Sequence, residues 1–291
     1  QEWHPNFNFS YERTDNVNQS SNIREIILNG AKFVRNKGSL PQKAQGIDYA
    51  LGIFHEKNII KNSYLNFSIS LDGISYWDNK DYSEQTWNSS IGYTYKDVHQ
   101  SWGVTPFIQQ NMLGDSRYSL NYGTTLDYSR QLSNRLKFVV SSTYLQKNYK
   151  DSNIANHYNG TNNGQTALLL YQLKSNVLIY TGIDYIQDRL SDKSESSIKT
   201  GIRTGFLYLS SPINVRTNIR YAKRNFKADN VWYKEKRKDS EYELGMSIWH
   251  QQWQWKGFTP KLNYKYQKID SNLPLYERNN NSWFITIDKN F

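Results

Sequence analysis

Period-two alternation of apolar and polar residues runs through this chain from end to end, and it restricts the fold more than any other feature. The cleanest stretch is Ile213-Asn214-Val215-Arg216-Thr217-Asn218-Ile219-Arg220-Tyr221. In a strand successive side chains point to opposite faces, so this stretch has one greasy face and one carrying two arginines. Likewise Phe258, Pro260, Leu262, Tyr264 and Tyr266 interleave with Thr259, Lys261, Asn263, Lys265 and Gln267, while Tyr118, Leu120, Tyr122, Leu126 and Tyr128 interleave with Ser119, Asn121, Gly123, Thr125 and Asp127. A helix would need apolar residues at i, i+3 and i+4, and that pattern is missing.

Strong alternation marks the segments 4–13, 46–56, 62–76, 82–95, 100–111, 116–131, 135–148, 164–173, 176–188, 195–209, 212–225, 239–250, 256–268 and 281–291. These fourteen strands are joined by connections of alternating length. Short links fall at Lys57-Asn58, Lys96-Asp97-Val98-His99, Leu132-Ser133-Asn134, Lys174-Ser175, Ser210-Ser211 and around Gln252-Trp253. Longer segments at 14–45, 149–163, 189–194, 226–238 and 269–280 lie between them, with two brief turns on the long side near Asp78-Asn79-Lys80 and Gly114-Asp115. Outer-membrane barrels alternate short periplasmic turns with longer external loops, and an even strand count puts both termini on the short-turn, periplasmic side. The longest loop holds Ile23-Arg24-Glu25-Ile26-Ile27-Leu28 and Gly30-Ala31-Lys32-Phe33-Val34. It reads as an external hairpin or an inward plug, the plainer reading being an exposed loop with a few apolar anchors.

Composition agrees with a barrel. Aromatic residues form 15% of the 291 residues, with 23 Tyr, 12 Phe and 9 Trp, although mean hydropathy is −0.81. A wall with one face to lipid, one to a polar lumen and aromatic girdles at both interfaces combines these properties. No apolar run approaches the length of a membrane-spanning helix, the longest being of the Ala167-Leu168-Leu169-Leu170-Tyr171 kind. The start of the chain, Gln1-Glu2-Trp3-His4, has no signal-peptide pattern. Cysteine is absent, which removes disulfides and thiolate metal sites. The net charge of +10 suits lipopolysaccharide phosphates as the nearer anionic partner, rather than nucleic acid. The expected fold is therefore all-β: a transmembrane antiparallel up-and-down β-barrel of about 14 strands, one domain over 1–291, in the bacterial outer membrane and monomeric.

Chemistry-bearing motifs are lacking. His4, His55, His99, His157 and His250 lie on separate strands or turns without ligand spacing and read as interface residues. No nucleophile elbow, P-loop or dinucleotide fingerprint occurs, so no enzyme activity, cofactor or metal is expected. The lumen-facing candidates are Asn6, Asn8, Glu12, Lys199, Arg203, Arg216, Arg220, Glu241, Glu243, Lys261 and Lys265, with basic residues gathered on segments 195–209, 212–225 and 256–268. Singly, each reads as interior salt-bridging that satisfies a solvated wall. Together they describe a hydrated interior. The last segment ends on Phe291 with Ile287, Ile285 and Trp283 at alternate positions before it. This pattern looks like the C-terminal signal that the barrel assembly machinery recognises.

Several segments, in order, resemble the C-terminal barrel domain of the Slam family, the surface lipoprotein assembly modulators. They include Tyr11-Glu12-Arg13-Thr14-Asp15-Asn16-Val17-Asn18, Tyr76-Trp77-Asp78-Asn79-Lys80-Asp81-Tyr82 and Gly103-Val104-Thr105-Pro106-Phe107. Arg117-Tyr118-Ser119, Lys238-Asp239-Ser240-Glu241-Tyr242, Ser247-Ile248-Trp249-His250, Gly257-Phe258-Thr259-Pro260-Lys261-Leu262 and Lys268-Ile269-Asp270-Ser271-Asn272-Leu273-Pro274 extend the likeness to the terminal strand. The resemblance implies an outer-membrane translocon that delivers surface lipoproteins, such as transferrin-, lactoferrin- or factor-H-binding proteins, or soluble haem-binding proteins, to the cell surface. That family carries tetratricopeptide repeats before its barrel, and this chain reads as the barrel alone or as a member lacking the repeats. The alternative is a passive diffusion porin for small polar or anionic solutes, motivated by the same basic wall. An outer-membrane hydrolase or a loop-built receptor are the remaining readings, since fold alone does not separate them.

Overall fold

The computed structural model describes residues 3–210 and 212–289. Fourteen strands close into one antiparallel barrel: β1 (His4–Thr14), β4 (Ala44–Ile60), β5 (Ser63–Tyr76), β6 (Glu84–Lys96), β7 (Gln100–Leu113), β8 (Ser116–Gln131), β9 (Leu136–Tyr149), β10 (Gly160–Lys174), β11 (Val177–Leu190), β12 (Ser197–Leu209), β13 (Ile213–Asp229), β14 (Lys236–His250), β15 (Phe258–Ser271) and β16 (Arg278–Lys289). A separate hairpin, β2 (Glu25–Leu28) with β3 (Ala31–Val34), and one short helix, α1 (Ser152–Tyr158), lie in the long loops. Each barrel strand pairs with its sequence neighbour, and β1 closes the cylinder by pairing with both β4 and β16: Glu12 stands opposite Gly46 on one side and Phe284 on the other. Closure leaves no edge strand, so the wall's backbone pairs within the sheet, as a bilayer demands.

Register fixes which side chains share a face. Asp184 of β11, Lys199 of β12, Arg220 of β13, Glu241 and Glu243 of β14, Gln267 of β15 and Arg278 of β16 line one cavity. Six consecutive strands of a cylinder can converge on a single cavity only from the concave side, so these residues face the lumen. The opposite parity is apolar and open: Ile47, Leu51 and Ile53 on β4, Ile179 and Ile183 on β11, Ile202 and Phe206 on β12, and Ile219 on β13 are exposed large hydrophobics. Trp102, Tyr171 and Tyr208 lie on that face toward the short turns, and Tyr122, Tyr144, Tyr185 and Tyr242 toward the long loops. They form the two aromatic girdles of an outer-membrane wall. The only buried apolar side chains among the described residues are Ile26, Ala44, Tyr76, Ala222, Phe226 and Leu273. In water that core would be too small to hold a chain of this size, because burial of apolar surface is the main driving force of folding. Lipid against the outer face takes the place of a packed interior.

The strand order and the alternation of loop lengths follow the pattern read from sequence, and three local details differ. β4 runs on through Ile60, which pairs with Ser63, so the turn sits at Lys61-Asn62 rather than at Lys57-Asn58; Asn62 supplies the positive φ of 64° that it needs. β10 starts at Gly160, four residues before the alternation becomes strong, because Thr161, Asn162 and Asn163 pair with both β9 and β11. The long loop after β1 is not plain coil but carries the β2–β3 hairpin, whose two turn residues Asn29 (φ 51°) and Gly30 (φ 77°) both adopt left-handed backbone. That is the conformation an Asn-Gly hairpin turn prefers, since its twist matches that of the flanking strands.

The stem of this loop is tied to β16. Asn16 donates to the carbonyls of Ser20 (2.7 Å) and Asn279 (3.0 Å), and Arg35 donates to the carbonyls of Ser21 (2.7 Å) and Ile23 (2.9 Å). A second tie on the long-loop side joins α1 to the 191–196 connection. Asp151 caps α1, accepting from Asn153 N–H at 2.8 Å, and His157 near the helix end contacts Asp192 at 2.8 Å. The Ser194 hydroxyl above all, with the His157 ring and the Ser194 N–H, holds the Asp192 carboxyl below the usual carboxylate range against the opposing effect of burial.

Candidate functional site

The lumen wall is built by alternation and register together. Alternation puts one polar set inward on each strand, and antiparallel pairing then sets charges of neighbouring strands side by side. Six of the eleven sequence-predicted lumen residues meet in a lattice of ion pairs. Arg203 binds Asp184 through Nε at 2.9 Å and through Nη2 as well; Asp184 also lies 3.7 Å from Arg220, which reaches Glu243 at 3.9 Å, and Glu243 contacts Lys265 at 3.5 Å. A parallel series runs from Lys147 to Asp188 (3.7 Å), from Asp188 to Arg224 (3.2 Å), and from Arg224 to Glu241 (2.9 Å), which also holds Lys199 at 3.4 Å. The two series cross β9 and β11–β15 and set six cations against four carboxylates.

Most of these pairs are partly solvated and contribute about 0–1 kcal/mol each. Asp184 is the exception, with a side chain only 3% exposed. Both its oxygens are taken by the forked Arg203 guanidinium and it accepts from Thr166 at 2.7 Å. Two-pronged charge-assisted bonds of this kind are among the strongest polar contacts. Asp184, Asp188 and Arg224 were not among the residues predicted from sequence. Their inward parity was readable there, but their role depends on which strands lie beside them.

The remaining predicted residues lie elsewhere on the wall. Asn6 rests against the bare backbone of Gly52. Asn8 lines a second cavity, of about 410 Å³, with Ser10, Asp48, Asp72, Glu84 and Thr86. Glu12 stands on the same arc with its carboxyl group beside that of Asp48. Among the described residues no lysine or arginine lies within ion-pair distance of Glu12, Asp48, Asp72 or Glu84, so the β1–β6 arc is acidic where the β12–β15 arc is mixed and rich in cations. Arg216 and Lys261 both place their cations over the ring of Trp249, at 5.7 and 4.5 Å from its centre. Of the C-terminal pattern, Trp283, Ile285 and Ile287 are exposed on the outer face, Trp283 packing on Tyr264 at 4.5 Å. Phe291 lies outside the described residues.

The histidines are dispersed, and no group of three or more His, Asp or Glu among the described residues could hold a metal ion. His157 sits in a long loop against Asp192, and His250 stacks on Trp253 at 4.8 Å. The described inner wall is polar and charged, as a hydrated barrel interior is.

The profile of the surface lipoprotein assembly modifier family matches residues 3–291. The chain is 28% identical to surface lipoprotein assembly modifier 1 of Haemophilus influenzae, over 100% of its own length and 60% of that protein. It is 21% identical to the hemophilin secretion modulator of Acinetobacter baumannii, over 99% of its length and 58% of that protein. The chain thus spans less than two thirds of these relatives. Among solved structures, the Pseudomonas putida toluene transporter TodX superposes with a TM-score of 0.52 at 8% identity, covering 99% of this chain and 90% of that one. That likeness concerns the fold alone, an outer-membrane β-barrel.

Proposed function

Because this chain belongs to the surface lipoprotein assembly modifier family, matched over residues 3–291, we propose that its barrel carries particular surface lipoproteins, or haem-binding proteins, across the outer membrane to the cell surface. The family match over nearly the whole chain is the observation that carries this reading. In it the chain forms a single transmembrane domain, both termini lie on the periplasmic side with the short turns, and the long loops with α1 and the β2–β3 hairpin face outward.

The wall chemistry supports the role. A translocated polypeptide presents charges of both signs, and a wall lined by one sign throughout would trap the other. The ion-paired lattice from Lys147 to Lys265 instead offers a passing chain a surface whose charges already satisfy one another. Fourteen strands also enclose a wider lumen than the eight whose interior side chains alone can fill. The test is to place the complete protein in liposomes and offer it a surface lipoprotein of the same organism from one side. Protection of that lipoprotein from external protease only in the presence of the barrel supports the proposal. Solute-selective conductance without any protein protection returns the reading to a porin.

A further inference from the structure

The apolar run Ala167-Leu168-Leu169-Leu170-Tyr171 has no purpose on a wall with one lipid face, because alternation sends Leu168 and Leu170 inward. The register shows what they meet. Leu168 stands opposite Val139 of β9, Leu170 opposite Tyr180 of β11, and Leu178 of β11 opposite Leu207 of β12. These six residues share the parity of Asp184 and Arg203, so they lie on the concave face, toward the short-turn end of β9–β12. Two glycines make the patch flat. Leu168 lies directly over Gly182, and the Tyr180 ring lies over Gly205, each within 2.6 Å of where a Cβ would stand. Leu168 and the Tyr180 ring therefore lie along the wall.

Lipid covers apolar residues on the outside of a barrel and cannot reach these. Water on such a surface costs free energy in proportion to its area, so an occupant must arrive through the lumen. Its chemistry is indicated by the cations at the rim. Lys137 stands opposite Leu170, and Arg216 opposite Leu207; both are exposed, and neither has a carboxylate within ion-pair distance among the described residues. We infer that this patch is a lumenal docking strip for an extended, acidic segment of the client polypeptide, which lays alternate apolar side chains on Leu168, Leu170, Leu178 and Leu207 and its carboxylates on Lys137 and Arg216. The inference rests on the proposed translocation role. It adds the place where a chain in transit is held, and the sequence character it needs there.

The experiment uses the complete protein in lipid nanodiscs, with benzoylphenylalanine in place of Leu207, and a biotinylated peptide of alternating Leu and Asp as the probe. Illumination is expected to label the Leu207 position at least tenfold more than an otherwise identical peptide of alternating Ser and Asp does. Labelling is expected to fall at least tenfold in the Leu168→Asn/Leu170→Asn background, with the heat-dependent gel shift of a folded barrel retained, and to be absent from the same photoprobe at Ile183 on the lipid face. Equal labelling by the two peptides, no labelling, or crosslinking only to another part of the same chain would overturn the inference. None of these readouts requires transport, so the strip can fail while the translocation role stands, and the liposome assay can fail while the strip stands.

Discussion

Replacing Asp184 by Asn removes one charge and leaves the side-chain volume unchanged. In the intact wall that carboxylate holds Arg203 by two bonds, accepts from Thr166, and stands 3.7 Å from Arg220. Arg203 and Arg220 are directly opposite one another across β12 and β13, so without Asp184 two cations face each other with Glu243 as the nearer remaining anion. Breaking a fully buried pair costs about 3–5 kcal/mol, and losing a charged hydrogen bond about 1.5–3 kcal/mol. The arginine side chains are 25% and 32% exposed to the lumen, so water screens part of the effect. The expected loss is about 2–3 kcal/mol, a drop of roughly 30- to 140-fold in the folding equilibrium. Urea unfolding in lipid vesicles, followed by tryptophan fluorescence, measures it. Glu56→Gln, which breaks the more exposed Lys96–Glu56 pair, serves as the control at under about 1 kcal/mol. Removing the cation as well, in Asp184→Asn/Arg203→Gln, should recover part of the loss. An Asp184→Asn barrel as stable as the Glu56→Gln control would refute the view that this carboxylate organises the wall.

Three further outcomes follow from the same geometry. Ile285→Arg puts a cation on the lipid face and should cost about 2–4 kcal/mol near mid-membrane, whereas Thr286→Lys, one residue on and facing the lumen, should cost little; equal costs in vesicle refolding would mean that the faces are misassigned. Gly182→Val should prevent assembly, because its Cβ would stand 2.3 Å from Leu168 Cδ2 and 2.5 Å from the Ala167 carbonyl oxygen; a heat-modifiable, folded band at the wild-type level would contradict this. The Asp192 carboxyl is depressed by Ser194 and His157, so the contact that ties α1 to the 191–196 loop should be intact above the ordinary carboxylate pKa of about 4 and lost as pH falls through the lower folded value. Hydrogen exchange of residues 152–158 should therefore accelerate between pH 5 and the acid limit in the wild type but not in Asp192→Asn, and identical profiles would exclude that origin.

Strand number, strand order and the two faces were legible in the sequence because each follows from local alternation. Ile213–Tyr221 declared its own faces without reference to any neighbour. The ends were less visible: Thr161-Asn162-Asn163 has the composition of a loop, yet pairs on both sides because Leu145 and Gln187 stand beside it. The hairpin in the long loop was one of two forms open from sequence, beside a plug, because a short two-strand ribbon has little hydrophobic pattern and only Asn29-Gly30 carries its turn signal. The lumen residues were found as single polar positions, and Lys199, Arg203, Arg220, Glu241, Glu243 and Lys265 do meet in one lattice. Their partners Asp184, Asp188 and Arg224 were missed because ion pairing across strands is set by register, which no single segment contains.

The central claim is delivery of a client to the cell surface, and intact cells test it most directly. The complete protein is expressed with a surface lipoprotein of its own organism in a laboratory Gram-negative host, and protease is added to unbroken cells. The account predicts that the lipoprotein is cleaved only when the barrel is present and is protected when the barrel is deleted. Protection in both cases, together with solute-selective conductance of the purified barrel in planar bilayers, would contradict it and leave a diffusion pore.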